Sequence, residues 1–261
     1  MDATLTQGIL VGLFAAFCLT GQIMGTYTNR AIFLSFGVGL ILGDVQTGLI
    51  MGATAELAFM GFGVGAGGTV PPNPIGPGIV GTIMAIALKD QGMTPEKALA
   101  LSLPFAVMIQ FMITFIYSLN AGSLTQAKKA LLEGNYKKFK LSSNLTAILF
   151  AIFGFVVGLV ATLSIDLLRS FVEIIPQWLM NGLSVAGGLL PAIGFAMILN
   201  VMVKKEYIPA LILGYVCISY LAMPVIGLAF VGAILAFNNF YNGGNGSSEE
   251  EEGEEVFEDG I

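Results

Sequence analysis

Charged residues are scarce in this chain of 261 residues. They make up 11% of the sequence, whereas hydrophobic residues make up 56%. A soluble domain usually carries about 25% charged residues. So few polar groups cannot cover a globular surface, which excludes an ordinary soluble enzyme and predicts that lipid surrounds most of the chain.

Histidine is absent, and there are only two cysteines, Cys18 and Cys217, each inside an apolar run. The lack of histidine excludes a histidine nucleophile, a phosphohistidine and histidine metal ligands. Two isolated cysteines suggest neither a disulfide framework nor a cysteine metal site. We therefore expect no cofactor and no metal ion.

Acidic residues are concentrated at the C-terminal end. Eight of the 17 acids follow Tyr241, and without them nine acids face eleven bases, despite a net charge of −6. A nearly neutral body of this kind carries no nucleic-acid-binding surface. We expect a membrane-embedded domain over residues 1–241 and a disordered acidic tail over residues 242–261.

Long apolar runs replace the missing polar surface. A membrane-spanning helix needs about 20 apolar residues, and several runs satisfy that length. Two runs are too short for confident independent spans and are interpreted as half-helices or tilted helices: Ala31–Leu42 and Val45–Met60. We predict an all-α, polytopic integral membrane protein. Pro224 is expected to divide the last long run, Tyr207 to Tyr241, into a hairpin.

A lysine-rich segment at about residues 121–143 predicts the orientation. It contains five lysines and a single acid, Glu133. Short positively charged loops stay in the cytoplasm, so we place this one there. The span from Leu145 to Ile165 then leads outwards, and the amphipathic stretch from Asp166 to Gln177 lies outside or in the interface. The segment either sets topology alone or also binds anionic headgroups or a cytoplasmic partner.

An uncharged stretch rich in glycine and proline interrupts the apolar runs. It reads GFGVGAGGTVPPNPIGPG, from Gly61 to Gly78, and its composition does not suit an ordinary helix or strand. Non-helical backbone within a bilayer must be buried in protein or line an aqueous cavity. We therefore predict a re-entrant or broken helix at about residues 56–78, forming part of a substrate site.

The candidate site residues offer hydrogen bonds suited to a neutral polyol. The strongest is the intramembrane acid Glu56, because such a carboxylate is expensive to insert and is usually functional. The full set of candidate substrate-binding residues is Glu56, Asn73, Thr69, Gly67, Gly68 and Asp44. Alternatives remain for three of them. Glu56 could pair with a lysine or a backbone donor, Asn73 could be a turn residue, and Asp44 could end a helix at the membrane face.

Two blocks resemble the membrane subunit IIC of the mannose-type bacterial phosphotransferase system. They are LGDVQTGLIMGATAELAFMGFGVGAGGTVPPNPIGPGIVGT, from Leu42, and NGLSVAGGLLPAIGFAMILN, from Asn181. The family covers mannose, fructose, sorbose and N-acetylgalactosamine permeases. The resemblance extends from Leu5 to about Tyr241 and puts the family's acid on Glu56. By this resemblance, the position of Asn73 is occupied by an aspartate in mannose-type members. The difference makes this chain more similar to the amino-sugar branch of the family.

The resemblance implies a transport subunit of the bacterial plasma membrane rather than an enzyme. It implies a IID membrane subunit as partner, assembled with IIC as three heterodimers, and cytoplasmic IIA and IIB subunits that phosphorylate the arriving sugar. The implied substrate is an amino sugar such as N-acetylgalactosamine, or a disaccharide derived from glycosaminoglycans. The alternative function is a secondary transporter that acts alone and uses Glu56 and Asp44 as ion-coupling carboxylates.

Overall fold

The computed structural model describes residues 4–61, 72–204 and 207–243. Within these residues the chain is helical and contains no strand, which confirms the all-α prediction. The α-helices are α1 (Leu5–Met24), α2 (Ala31–Leu42), α3 (Val45–Phe59), α4 (Thr82–Ala87), α5 (Pro95–Leu119), α6 (Ser123–Leu132), α7 (Tyr136–Leu163), α8 (Ile165–Ile174), α9 (Gln177–Met202), α10 (Ile208–Ser219) and α11 (Val225–Gly243). The chain divides into two compact units, Met1–Val201 and Met202–Ile261.

Among the described residues, four helical stretches are long and apolar enough to cross a membrane. They are Leu5–Met24, Pro95–Leu132, Tyr136–Leu163 and Gln177–Met202. The helices α2 and α3 have 12 and 15 residues, so at 1.5 Å per residue they are shorter than the bilayer core is thick. This agrees with the interpretation of these two runs as half-helices or tilted helices.

Small residues allow α1 and α7 to pack closely in an antiparallel pair. Gly12 lies against the backbone of Phe155, while Gly154 and Gly158 lie against the backbone of Ala15 and Val11. A Cβ atom on Gly154 or Gly158 would lie 2.8 Å from a carbonyl oxygen of α1. Small residues four apart are the usual way in which membrane helices approach each other without a hydrophobic driving force.

The helices α2 and α3 form a tight hairpin. Gly43 ends α2 with φ of +87°, a conformation that favours glycine, and Asp44 then caps α3 by accepting a hydrogen bond from the backbone amide of Thr47. Gly39 and Gly48 face each other across the hairpin, and a Cβ on Gly48 would lie 2.8 Å from the Cα of Gly39. The hairpin places the start of α2 beside the end of α3.

A short buried helix over Gly76–Ala87, called the half-helix below, lies between the α2–α3 hairpin and α5. It begins as a π-helix, Gly76–Gly81, and continues as α4. Its glycines face different neighbours, with Gly76 against Ala106 of α5 and Gly78 against Leu34 of α2. The hydroxyl of Thr82 donates to the carbonyl of Gly78 at 2.8 Å, which helps to satisfy a backbone group freed by the π geometry.

The described end of the stretch rich in glycine and proline is this π-helix. The stretch from Gly61 to Gly78 was predicted to be a re-entrant or broken helix whose composition does not suit an ordinary helix, and from Gly76 it is helical. The reason is packing, because glycine here permits close contact between helices. Pro77 lies in the first turn, where its missing N–H would have no helical partner.

The lysine-rich segment is largely helical rather than an open loop. It contains the amphipathic helix α6, whose Ala127 and Ala130 are buried. A turn at Gly134, with φ of +67°, leads to Asn135, which caps α7 through a 3.1 Å hydrogen bond from the amide of Lys138. Its cytoplasmic location remains a prediction.

The remaining helices of the first unit are α8 and α9. The amphipathic prediction for Asp166, Arg169 and Glu173 agrees with α8, where Asp166 and Arg169 form a 3.6 Å ion pair. α9 continues through Pro191 and packs by its glycines, with Gly187 against the carbonyl of Glu96. In the second unit, α10 and α11 flank Pro224, so the predicted division of the last apolar run is confirmed.

Candidate functional site

Glu56 forms an ion pair with Arg30. The Nε of Arg30 donates to Oε1 of Glu56 at 2.6 Å, and Nη2 of the same guanidinium contacts the same oxygen. Planar guanidinium groups suit carboxylates because several donors lie in one plane. The side chain of Glu56 is 19% exposed and that of Arg30 41% exposed, so the pair is accessible from one side.

The other carboxylate oxygen of Glu56 binds the start of α2. The backbone amide of Ile32 donates to Oε2 at 3.3 Å. The first amides of a helix lack helical partners and carry partial positive charge, so an anion is stabilised there. The structural alternative considered for Glu56 therefore occurs, with an arginine instead of a lysine. These three contacts leave about one acceptor position for a ligand, since an ionised carboxylate offers about four.

Asn73 precedes the buried half-helix and lies beside the middle of α5. Its Oδ1 accepts from the amide of Ile75 at 3.1 Å, and its own amide donates to the carbonyl of Ala106 at 3.1 Å. Its Nδ2 donates to Oε1 of Gln110 at 3.0 Å. The turn role considered for Asn73 is thus present. The bond to Gln110 adds an amide pair in which Asn73 is buried and Gln110 is the more accessible member.

Glu56 and Asn73 both lie towards the end of the α2–α3 hairpin at which α2 begins. Glu56 is near the end of α3, and Asn73 is at the start of the half-helix, which runs parallel to α2. The half-helix begins at the depth of the middle of α5, where the carbonyl of Ala106 accepts from the amide of Asn73. Interrupted helices that end at mid-membrane depth are where many transporters bind their substrates.

Asp44 lies at the opposite end of α3. Twelve residues of helix separate it from Glu56, which corresponds to about 18 Å. Its carboxylate accepts from Lys89 Nζ at 2.7 Å and from the hydroxyl of Thr47 at 2.7 Å. The hydrogen bond from Lys89 and those from Thr47 lower the pKa of Asp44 to about 2. The geometry therefore favours the alternative considered for Asp44, a helix end at a membrane face.

Three candidates lie outside the described residues: Thr69, Gly67 and Gly68. Their proposed contacts to a sugar stay predictions. The described residues that flank this gap are Gly61 and Pro72. Gly61 lies against Gly194 of α9. Within that part, no group of three or more cysteine, aspartate and glutamate side chains could hold a metal ion.

Sequence reasoning missed Arg30 and Gln110. Arg30 occurs just before an apolar run and was treated only as its boundary, although a lone arginine beside a lone buried acid is a signal of pairing. Gln110 lies 37 residues from Asn73 within an apolar helix. A polar amide in such a helix is a weak signal, and only the packing of the half-helix against α5 identifies its partner.

Known proteins are similar along almost the whole chain. Residues 5–238 match the family described as the PTS system sorbose-specific IIC component. The N-acetylgalactosamine permease IIC component 1 of Escherichia coli K12 is 36% identical over 244 residues, which cover 92% of this chain and 90% of that protein. The sorbose-specific EIIC component of Klebsiella pneumoniae is 28% identical over 241 residues, covering 90% of this chain and 88% of that protein.

Solved structures share the fold. A chain described only as a membrane protein superposes with a TM-score of 0.79 at 25% identity, covering 92% of this chain and 99% of that one. The mannose transporter ManYZ in complex with microcin E492 gives a TM-score of 0.58 at 26% identity, covering 92% and 97%. None of these relatives supports a transporter that acts alone. The chain belongs to the PTS system sorbose-specific IIC component family and is a sugar-transport component of the bacterial plasma membrane.

Proposed function

We propose that this chain binds an amino sugar within the membrane and delivers it to the cytoplasm for phosphorylation. The candidates are N-acetylgalactosamine and a disaccharide derived from glycosaminoglycans. The observation that carries the proposal is the 36% identity to an N-acetylgalactosamine permease component, compared with 26% to mannose-specific and 28% to sorbose-specific components.

The chemistry of the described site supports a polyol ligand. Glu56 provides carboxylate acceptors, and its partner Arg30 provides N–H donors on the accessible side of the pair. Asn73 and Gln110 form an amide pair that can offer both a donor and an acceptor. Paired donors and acceptors match neighbouring hydroxyl groups and the acetamido group of an N-acetylated sugar.

The proposed partners follow from the resemblance of this chain to the IIC family. A IID membrane subunit would complete the translocation unit, with three IIC–IID heterodimers in the assembly. Cytoplasmic IIA and IIB subunits would carry out phosphoryl transfer, which agrees with a chain that has no histidine. The many exposed apolar side chains of α9, α10 and α11 provide surface for lipid or for such a membrane partner.

The test is sugar binding by the complex of this chain with a IID subunit. Calorimetry would compare N-acetylgalactosamine, galactosamine and mannose, first with the wild-type complex and then with Glu56→Gln. We expect selective binding of one amino sugar and its loss in the variant. The exposed substitution Glu133→Gln, which also removes one carboxylate charge, serves as the matched control.

Three results would contradict parts of the proposal. Preferential binding of mannose would overturn the amino-sugar assignment but leave the site in place. Normal sugar uptake by Glu56→Gln in cells that contain the partner subunits would remove Glu56 from the site. Transport by the purified chain alone, driven by an ion gradient, would instead establish the alternative of a secondary transporter.

A further inference from the structure

A polar cavity is lined by residues other than Glu56 and Asn73. It has a volume of about 370 Å³ and is bounded by the turn after α4, the start of α5, the end of α8 and the start of α9. Its polar lining consists of Gln91, Lys97, Glu173 and Gln177. None of these side chains takes part in the Glu56–Arg30 or Asn73–Gln110 contacts.

The cavity is on the face opposite the lysine-rich segment. Gln91 lies two residues after Lys89, which pairs with Asp44 at the end of the α2–α3 hairpin away from Glu56. The helix α5 crosses from this face to α6, and α7 crosses back. The positive-inside rule predicts a cytoplasmic lysine-rich segment, and with that topology this cavity opens to the outside, where the sugar arrives.

The lining has unused hydrogen-bonding capacity. Lys97 Nζ donates to the carbonyl of Gly92 at 3.0 Å, which leaves two of its three N–H groups. Gln91 Nε2 donates to Oε1 of Glu173 over a long 3.4 Å, which leaves Oε2 of that carboxylate. The amide of Gln177 adds a donor and an acceptor beside them. Alternating donors and acceptors of this kind suit vicinal hydroxyl groups.

Charge and shape favour a neutral sugar over an ion. The charges of Lys97 and Glu173 offset each other, so the lining attracts neither anions nor cations strongly. The buried residues Met93 and Met180 provide an apolar wall against which the C–H face of a sugar ring can pack. The volume is at the lower end of the range for small-molecule sites, about 300–1,000 Å³, which suits a monosaccharide.

We propose that this cavity is an extracytoplasmic sugar-binding site that captures the transported sugar before it reaches the site at Glu56 and Asn73. Glu173 and Gln177 accept and donate hydrogen bonds to the hydroxyls, and Lys97 donates to a further oxygen. The site raises the local sugar concentration at the outer face, so it acts on the apparent affinity for uptake and leaves the translocation step unchanged.

Uptake kinetics of the full complex test this inference. The probe is whichever of N-acetylgalactosamine, galactosamine and mannose the wild-type complex accumulates fastest. We expect the double variant Glu173→Gln/Gln177→Ala to raise KM about 5- to 10-fold, with the maximal rate within about twofold of wild type. Asp166→Asn, a carboxylate change on the same helix outside the cavity, should leave both values unchanged.

A binding measurement complements the kinetics. Calorimetry should find two sugar molecules per IIC–IID pair, of which Glu56→Gln removes one and the double variant removes the other. An unchanged KM in the double variant, or one bound sugar that Glu56→Gln abolishes, would overturn the outer site. The inference rests on the family's sugar transport and not on the amino-sugar assignment. A preference for mannose would therefore contradict the proposed substrate but not this site.

Discussion

The Nε of Arg30, at the start of α2, donates a 2.6 Å hydrogen bond to Oε1 of Glu56, near the end of α3. The two residues lie 26 positions apart in the chain and meet because the α2–α3 hairpin is tight. The pair neutralises a carboxylate that lipid would otherwise disfavour. It also holds that carboxylate against the backbone amide of Ile32 at the start of α2.

Loss of the Arg30 guanidinium should weaken both folding and sugar binding. Arg30→Gln leaves Glu56 without its charged partner, and we expect a loss of about 1–3 kcal/mol in stability and a lower melting temperature in detergent. Arg30→Lys should restore part of the loss, because it keeps the charge but not the planar fork. A double-mutant cycle with Glu56→Gln measures the coupling, and strictly additive effects would show that the pair contributes nothing.

Glu56→Gln should weaken sugar binding by about 10- to 100-fold, because hydrogen bonds to a charged acceptor contribute about 1.5–3 kcal/mol. The measurement is calorimetry on the complex with IID, alongside Glu133→Gln. A variant that binds the sugar as tightly as wild type would restrict Glu56 to its structural pair with Arg30.

Asn73→Asp should change sugar preference. The carboxylate can still accept from the amide of Ile75, but it loses the donor that binds Gln110. By the family resemblance, mannose-type members have an aspartate at this position. We therefore expect the affinity for mannose to rise relative to the affinity for N-acetylgalactosamine. Gln110→Ala is the informative companion, since it removes the same hydrogen bond without adding a charge. An equal change in both variants would exclude a specific effect of the acid.

Gly76→Ala should destabilise the half-helix strongly. A Cβ at Gly76 would lie 2.5–2.7 Å from backbone and side-chain atoms of Ala106 in α5, closer than real contacts allow. Relief requires a shift of the half-helix, for which we expect about 1–3 kcal/mol of destabilisation. Gly122→Ala is the matched control, because nothing lies within 4 Å of its added Cβ. Thermal unfolding in detergent compares them, and similar melting temperatures would contradict the close packing.

The Asp44–Lys89 pair should make stability depend on pH below about 4. The pKa of Asp44 is lowered from 3.8 to about 2, so its stabilising contribution is complete at neutral pH and is lost as the pH falls from about 4 to 2. In Lys89→Met the native pKa rises towards 3.8, and this contribution shrinks. Asp44→Asn keeps a good helix cap but loses the charge. Unfolding measured from pH 7 to pH 2 should show a smaller acid-induced loss in both variants.

The helices that composition and run length indicate are present in the structure with close boundaries. The run Ala31–Leu42 coincides with α2, and Pro224 separates α10 from α11. Such elements follow from local physics, because an apolar run in lipid must satisfy its own backbone and a proline prevents continuation of a helix. The π-helix from Gly76 was missed, since glycine and proline predict a break unless the close neighbours of each glycine are known.

By itself, the sequence determined that this chain lies in a membrane, is helical and belongs with sugar-transporting IIC subunits, and it predicted an intramembrane acid at Glu56. Apolar length, the absence of histidine and two long motif blocks are properties of the linear chain. Only the tertiary structure decided that Glu56 meets Arg30, that Asn73 meets Gln110 and that Asp44 lies at the opposite end of α3. Those pairings join residues 26 to 45 positions apart. They depend on how short helices pack, which no local pattern of residue types encodes.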